Sequence, residues 1–431
     1  MGIRATADNP ARTCVPSPWR TVVAWTRFPH GVTPMRFIHV AVVAALAAAG
    51  MIAPAFGAPV ANSSAADTPI RIGVIYSKTG PLSAYGEEYR QGFEAGLAYV
   101  SHGTGVIDGH PIKVNWQDGA GNPAQAVSDA KTLIGQGYRI LAGPTDSGVA
   151  LQVAAVAGQN KVLFISGPAA ADAISGINKY TFRSGRQSYQ DVKTAAAIMG
   201  SVKGKHILVF AQDYAFGQAN VAAVKSVLGG EGAVVTSLLV PLSTTDFTPF
   251  ALKIKNAHPD MLFVAWAGNT TDAMWKTLDQ QGVFGMTKVV TGLAQKAAYN
   301  AYGGVSGTKI DFLSYYFPQA PHNAVNAAMI DLIKKAGGTP DLFSPDGFVA
   351  VQMIAHAIEK TGGDQNVDAM IKALDGWTFE APKGQQTIRA QDHAMLQVEY
   401  VAKLVKHGSN FVPELVKTVP AAEIAPPLVK R

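Results

Sequence analysis

Cysteine is almost missing from this chain. The one copy, Cys14, sits in the first 66 residues, so the body holds no disulfide and does no thiol chemistry. That fits an exported protein that folds without redox help, although cytosolic chains also do without cysteine. Charge is sparse, at 15% of residues, and nearly balanced in the body. Residues 1–66 hold Arg4, Arg12, Arg20, Arg27 and Arg36 against Asp8, which leaves 31 basic and 29 acidic residues beyond them, a balance of +2 out of the overall +6. Such a body offers no electrostatic footprint for nucleic acid. No stretch beyond residue 66 approaches 18 uninterrupted apolar residues, the length of a membrane span. The mature body is therefore expected to be soluble.

Catalytic signatures are missing as well. No strand is followed by G-x-G-x-x-G, no G-x-x-x-x-G-K-[ST] occurs, and there is no G-x-S-x-G elbow. The body histidines (His102, His110, His206, His258, His322, His356, His393, His407) are scattered. None forms H-x-x-x-H or H-E-x-x-H, the spacing of common zinc sites. We expect no enzyme, no metal and no cofactor.

The segment before residue 67 reads as processing. Met35-Arg36 is a basic start, Val40–Ala53 an apolar run, and Ala55-Phe56-Gly57-Ala58 a small-residue cleavage zone. This is the order of a secretory signal, with cleavage between Ala55 and Ala66. A permanent anchor is the competing reading, disfavoured by His39, Gly50 and Pro54 within and beside the run. Cys14 follows Ala-Arg-Thr, which is no lipoprotein box. The mature protein is expected in the periplasm or outside the cell.

Present instead are a 48% hydrophobic content, enough for sizeable cores, and a repeated pattern. Ile70–Tyr76 is a β-branched run broken only by Arg71, as in a strand buried on both faces. The turn-rich Ser77–Gly86 follows, then helical spacing from Glu87 to Val100. Further strands are expected at His110–Gln117, Tyr138–Ala142 and Val162–Ser166, with helices at Ala124–Gly135 and Val149–Ala157. A second series has strands at His206–Ala211, Ala233–Pro241, Met261–Trp266, Val289–Gly292 and Phe312–Phe317. Its helices fall at Phe216–Leu228, Thr248–Ala257, with Asp246 a candidate cap, and Thr270–Gln281. Helices then run over Ala324–Ala336, Gly347–Lys360 and Val367–Leu374, and Met395–Leu404 reads as hairpin or edge strands. Strands alternating with helices argue for parallel sheets. The expectation is α/β: two doubly wound, Rossmann-like lobes joined by a multi-crossover hinge. Lobe one takes 67–187 plus about 316–393, lobe two 188–315 plus about 394–418, and 419–431 is a tail.

In such sheets ligands bind beyond the carboxyl ends of the strands, and a cleft between lobes is a default site. Asp146 and Ser147 open a helix, where free N–H groups attract anions; either residue equally reads as a plain cap. Ser166-Gly-Pro-Ala-Ala170 allows close backbone approach, or is simply a tight turn. Phe216 and Trp266 end strands and face a cleft or fill the core.

The ordered set Ile70–Gly86, Gly92, Asp108-Gly109, Asp118, Asn122-Pro123, Gly143-Pro144, Ser147, Ile165-Ser166, Phe182-Arg183, Phe216-Gly217 and Asp246-Phe247 resembles the periplasmic solute-binding proteins of the leucine/isoleucine/valine-binding type. The resemblance spans Ile70 to about Leu404. It implies a receptor delivering a small molecule to the permease and ATPase of an ABC importer, working as a monomer. It implies ligand contacts at Tyr85, Asp146, Ser147, Pro168, Ala169, Ala170, Phe216, Trp266 (or Ala267, one place on) and Phe343. Two positions depart from the family. Its ligand-binding threonine falls at Ala170, and its acidic partner for an amino acid's ammonium falls near Leu293–Ala294. An unpaired buried ammonium is costly. Either Asp146 supplies that acid for a branched-chain or other small amino acid, or the ligand lacks an ammonium and is a small organic acid, an amide or an aromatic acid. A soluble ligand sensor of the same fold is the alternative.

Overall fold

The computed structural model describes residues 68–306 and 309–430. The expected signal, its cleavage zone and Cys14 lie outside the described residues. The first series is β1 (Ile70–Tyr76), α1 (Ser83–Val100), β2 (Val106–Ile107), β3 (His110–Asp118), α2 (Pro123–Gly135), β4 (Ile140–Ala142), α3 (Ser147–Asn160), β5 (Leu163–Ser166) and β6 (Thr181–Arg183). The second is α4 (Ser188–Met199), β7 (His206–Gln212), α5 (Ala215–Val224), β8 (Val234–Val240), α6 (Thr248–Ala257), β9 (Met261–Ala265), α7 (Thr271–Gln280), β10 (Lys288–Gly292), α8 (Tyr299–Ser306) and β11 (Ile310–Ser314). Then come α9 (Ala324–Lys335), α10 (Ser344–Thr361), α11 (Val367–Leu374), β12 (Thr378–Ala381), β13 (Gly384–Ile388), β14 (Met395–Leu396), β15 (Glu399–His407) and β16 (Asn410–Val419).

The fold is α/β with two doubly wound lobes. The first sheet runs β2-β3-β1-β4-β5-β6. β1 sits between the parallel neighbours β3 and β4, which is why Ile72, Val74 and Ile75 are fully buried and the strand alternates so little. The second sheet runs β16-β15-β11-β10-β9-β7-β8. Its β7 to β11 are parallel, and the β15–β16 hairpin closes one edge antiparallel to β11. A small sheet, β12-β13-β14, packs Phe379, Ile388 and Met395 with α10 and α11 against the first sheet. The chain passes between the two large sheets at 184–187, 315–323 and 397–398.

Local signals set the helix starts. Asn122 Oδ1 accepts from the N–H of Ala124 and Gln125 ahead of Pro123 at the first turn of α2, a strong N-cap with proline where its missing N–H costs nothing. Two glycines let α1 and α10 touch backbone to backbone. A Cβ at Gly92 would lie 1.9 Å from the Ser344 carbonyl oxygen, and one at Gly347 would lie 2.0 Å from that of Tyr89.

Two elements end sooner than their patterns suggest. The helix expected to reach Leu228 changes at Val224 into a wider turn over Lys225–Gly229. β11 stops at Ser314, paired with Tyr400, where the run to Phe317 reads as strand. Tyr315 leaves the sheet because its hydroxyl donates to Asp346. Asp246 does accept from the Thr248 N–H, although the helix is entered one residue later, at Phe247.

Candidate functional site

Each sheet changes winding direction once, between β1 and β4 in the first and between β7 and β9 in the second. Loops leaving such neighbours part and open a crevice. In the first sheet a hydroxyl pair bridges the two loops, Ser77 Oγ to Thr145 Oγ1 at 2.7 Å. In the second, the Ala267 N–H donates to Gln212 Oε1 at 3.0 Å. Both crevices open into one cavity holding about 770 Å³ of atom-free space, part of it open to solvent.

Six residues expected at a ligand site line this cavity: Tyr85, Pro168, Ala170, Phe216, Trp266 and Phe343. Ala267, the neighbouring choice for Trp266, lines it as well. Tyr85 stands edge-on to Phe343, 5.0 Å between ring centroids. Trp266 is half-buried. Its ring stacks on Phe210 at 5.1 Å and meets Phe247 edge-on at 5.4 Å, so core residues fix the ring it shows to the cavity. Leu293 and Ala294, where the family's acid would fall, contribute only apolar surface.

Asp146, Ser147 and Ala169 are not among the lining residues. Asp146 caps α3, its Oδ1 accepting from Val149 N–H at 2.8 Å. Burial raises its carboxyl pKa, and the backbone N–H groups work against that. Ser147 Oγ accepts from Ala171 N–H at 3.2 Å, tying the loop after β4 to the loop after β5. Ala169 is fully buried. Asp146 thus acts as the N-cap of its own helix.

The cavity's charged groups come from the first crossing. Arg186 and Asp191 line it, both more than nine-tenths buried. Arg186 Nη1 donates to the Pro168 carbonyl at 2.7 Å, and Nε to Asp191 Oδ1 at 3.3 Å. Its guanidinium lies 5.2 Å from the ring centroids of both Tyr315 and Phe343. Burial opposes the charge, but Asp191 and Asp346 outweigh it and hold the group protonated. Arg183 braces the same turn from below. It donates to the carbonyls of Arg186 and Ala171.

Behind Tyr315 lies a buried ionisable cluster drawn from α10, the β12–β13 turn and the start of β15. Asp346 accepts from Tyr315, and burial lifts its carboxyl to about 6. The Lys383 ammonium sits 3.5 Å from the Tyr315 ring centroid, and burial lowers its pKa to about 7. Glu399 accepts from Thr194 Oγ1 at 2.9 Å, and burial, then Asp191, push its carboxyl up.

Arg186, Asp191 and Tyr315 were not singled out by sequence reasoning. The available signal was the crossing itself. The short run Arg183 to Asp191 places three charged residues between two apolar series, where nothing in a strand or helix pattern needs them.

The arrangement is chemically a receptor pocket. It offers ring faces, one cation–carboxylate pair and a few hydroxyls and amides. No cluster of metal-ligating side chains occurs among them either, and no helix among them is long and apolar enough to cross a membrane.

Comparison with known proteins bears on the same body. Residues 69–409 match the family model described as periplasmic binding protein. A Leu/Ile/Val-binding protein homolog of Brucella melitensis is 28% identical over 341 residues, 77% of this chain and 90% of that protein. Among solved structures, an ABC-type branched-chain amino acid transporter protein from Rhodopseudomonas palustris is 33% identical with a TM-score of 0.70, over 84% of this chain and 100% of that one. A solute-binding protein of an ABC transporter from R. palustris, in complex with 4-hydroxybenzoate, is 25% identical with a TM-score of 0.75, over 82% of this chain and 97% of that one.

Proposed function

We propose, on the premise that this chain belongs to the periplasmic binding protein family, that it is the extracytoplasmic solute-binding component of an ABC importer. Its solute is a small carboxylate with a flat or branched apolar body and no ammonium group. One observation carries the choice. The cavity walls are rings from both sheets, its one cation is Arg186, and its one acid, Asp191, is already engaged by that cation. The solved relative holding 4-hydroxybenzoate supports it. The Leu/Ile/Val-binding relative keeps branched-chain amino acids in the comparison.

The mechanism is hinge closure without turnover. The moving bodies are residues 67–187 with about 316–393, and 188–315 with about 394–418. A solute touching both stabilises the closed form, which the membrane permease and its ATPase distinguish from the open one. The protein works as a monomer, exported through the segment before residue 67.

Thermal shift tests this directly. The panel is benzoate, 4-hydroxybenzoate, leucine, and leucine's deaminated 2-oxo acid. A binder at a hundredfold excess over its Kd stabilises by about 2.7 kcal/mol. The expected result is a shift with the acids lacking an ammonium. A shift with leucine alone overturns the solute class, and no shift with any member on folded protein overturns the solute reading altogether.

A further inference from the structure

We propose that Arg186 grips the solute's carboxylate with the free part of its guanidinium fork, and that Asp191 is the positioning residue that aims it. The inference rests on the proposed function and names the residue that reads the ligand's charge.

The geometry of Arg186 is that of a prepared anchor. It is 8% exposed, yet it lines the cavity. Of its three nitrogens, Nε is held by Asp191 and Nη1 by the Pro168 carbonyl, while Nη2 makes no hydrogen bond to any described residue. A guanidinium has five N–H donors in a rigid fork, so more than half of them are left for a ligand. The rings of Tyr315 and Phe343 each lie 5.2 Å from it by centroid, and neither ring accepts an in-plane hydrogen bond from its donors. Burying an arginine for one carboxylate at 3.3 Å and one carbonyl is poor recompense for its lost hydration. A carboxylate supplied by the solute would give the remaining donors their hydrogen-bond acceptors.

The charge balance agrees. Among the described residues, Arg186 and Asp191 are the only charged ones lining the cavity. A charged solute entering between apolar rings finds its counter-ion only at the crossing. Arg186 lies at neither winding reversal. It sits in the turn from β6 to α4, fastened to Pro168 on one side and to the first turn of α4 on the other. Asp191 in that first turn also lies where a helix favours negative charge; burial raises its carboxyl pKa and Arg186 works against that rise.

The test is isothermal titration with 4-hydroxybenzoate and with 4-hydroxybenzamide, its uncharged twin. Wild type is compared with Arg186→Met, Arg186→Lys and Asp191→Asn. Wild type should prefer the acid. Arg186→Met should lower acid affinity by roughly 10- to 100-fold and leave the amide little changed, so the preference collapses. Arg186→Lys keeps the charge without the fork and should recover part of it. Asp191→Asn should weaken the acid less than Arg186→Met does, and spare the amide. A folded Arg186→Met that keeps the acid-over-amide preference overturns the assignment, as does Arg186→Lys binding the acid like wild type. If Arg186→Met does not fold, Arg186→Lys decides. Loss confined to the acid supports the anchor, and equal loss for both ligands overturns it. Wild type that binds no carboxylate overturns the proposed function itself, a result distinct from either.

Discussion

The two winding reversals solve one problem with different chemistry. At the first, between β1 and β4, two hydroxyls meet, Ser77 and Thr145, and the loop after the adjoining β5 brings Pro168 and Ala170 to the cavity. At the second, between β7 and β9, the lining is aromatic: Tyr214, Phe216 and Trp266. Neither contributes a charge. The charges arrive from the connection between the sheets, as Arg186 and Asp191. On the proposed reading, the reversals read the solute's shape and the connection between the sheets reads its charge. A ligand gripped there holds the segment that must bend.

The largest expected effect is on the ring wall. Trp266→Ala removes the surface that covers the apolar body of the solute. Each such ring is worth roughly 1.5–3 kcal/mol. Acid and amide should both weaken roughly 10- to 100-fold by titration, in contrast to the charge-selective loss at Arg186. A loss limited to the acid breaks the division.

The next effect is on pH dependence behind the hinge. Burial lowers Lys383 from 10.5 to about 7. Its neutral form is kept in the folded state while the unfolded chain takes up a proton, so wild type loses stability as pH falls from 10.5 toward 7, and the loss is complete below that. Glu399, Asp346, Asp191 and Arg186 face it, with the rings of Tyr315 and Tyr400. Lys383→Met should therefore gain several degrees in Tm over wild type at pH 6, and much less at pH 9.5. An equal difference at both values means the ammonium is not desolvated there.

The smallest effect is at Asp146. Asp146→Ala deletes a cap and should cost about 1 kcal/mol, a Tm loss of roughly 2 °C, with solute affinity unchanged. A marked affinity loss at full stability would return Asp146 to the site and move charge reading into the loops.

How much of this was legible depends on the range of the interactions. β1 could be read because a strand between two parallel neighbours must be apolar on both faces. α2 could be read because Asn122-Pro123 is a cap written in two adjacent residues. Tyr85, Pro168, Ala170, Phe216, Trp266 and Phe343 follow strand ends or a helix start, so pattern and family resemblance together brought them to one cavity. Arg186 and Tyr315 were illegible for the opposite reason. Their neighbours, Pro168, Asp346 and Lys383, are 18 to 68 positions away, and no local period encodes that. Asp146 was ambiguous because a cap and an anion site ask for the same residue at the same place.

The chain's last described stretch does more than trail from β16. Arg389 donates to the carbonyls of Pro426 and Pro427 at 2.7 and 3.2 Å, and Val429 N–H donates to Asp392 at 3.0 Å. Asp392 is fastened in turn to Gly176, beside β6. After leaving the edge of the seven-stranded sheet, the polypeptide thus returns to the six-stranded one. Mechanically, a surface tether or bead attached at this end loads the six-stranded half and leaves the other half free to swing. Immobilised through it, the molecule would report its own closing as a movement of the untethered half.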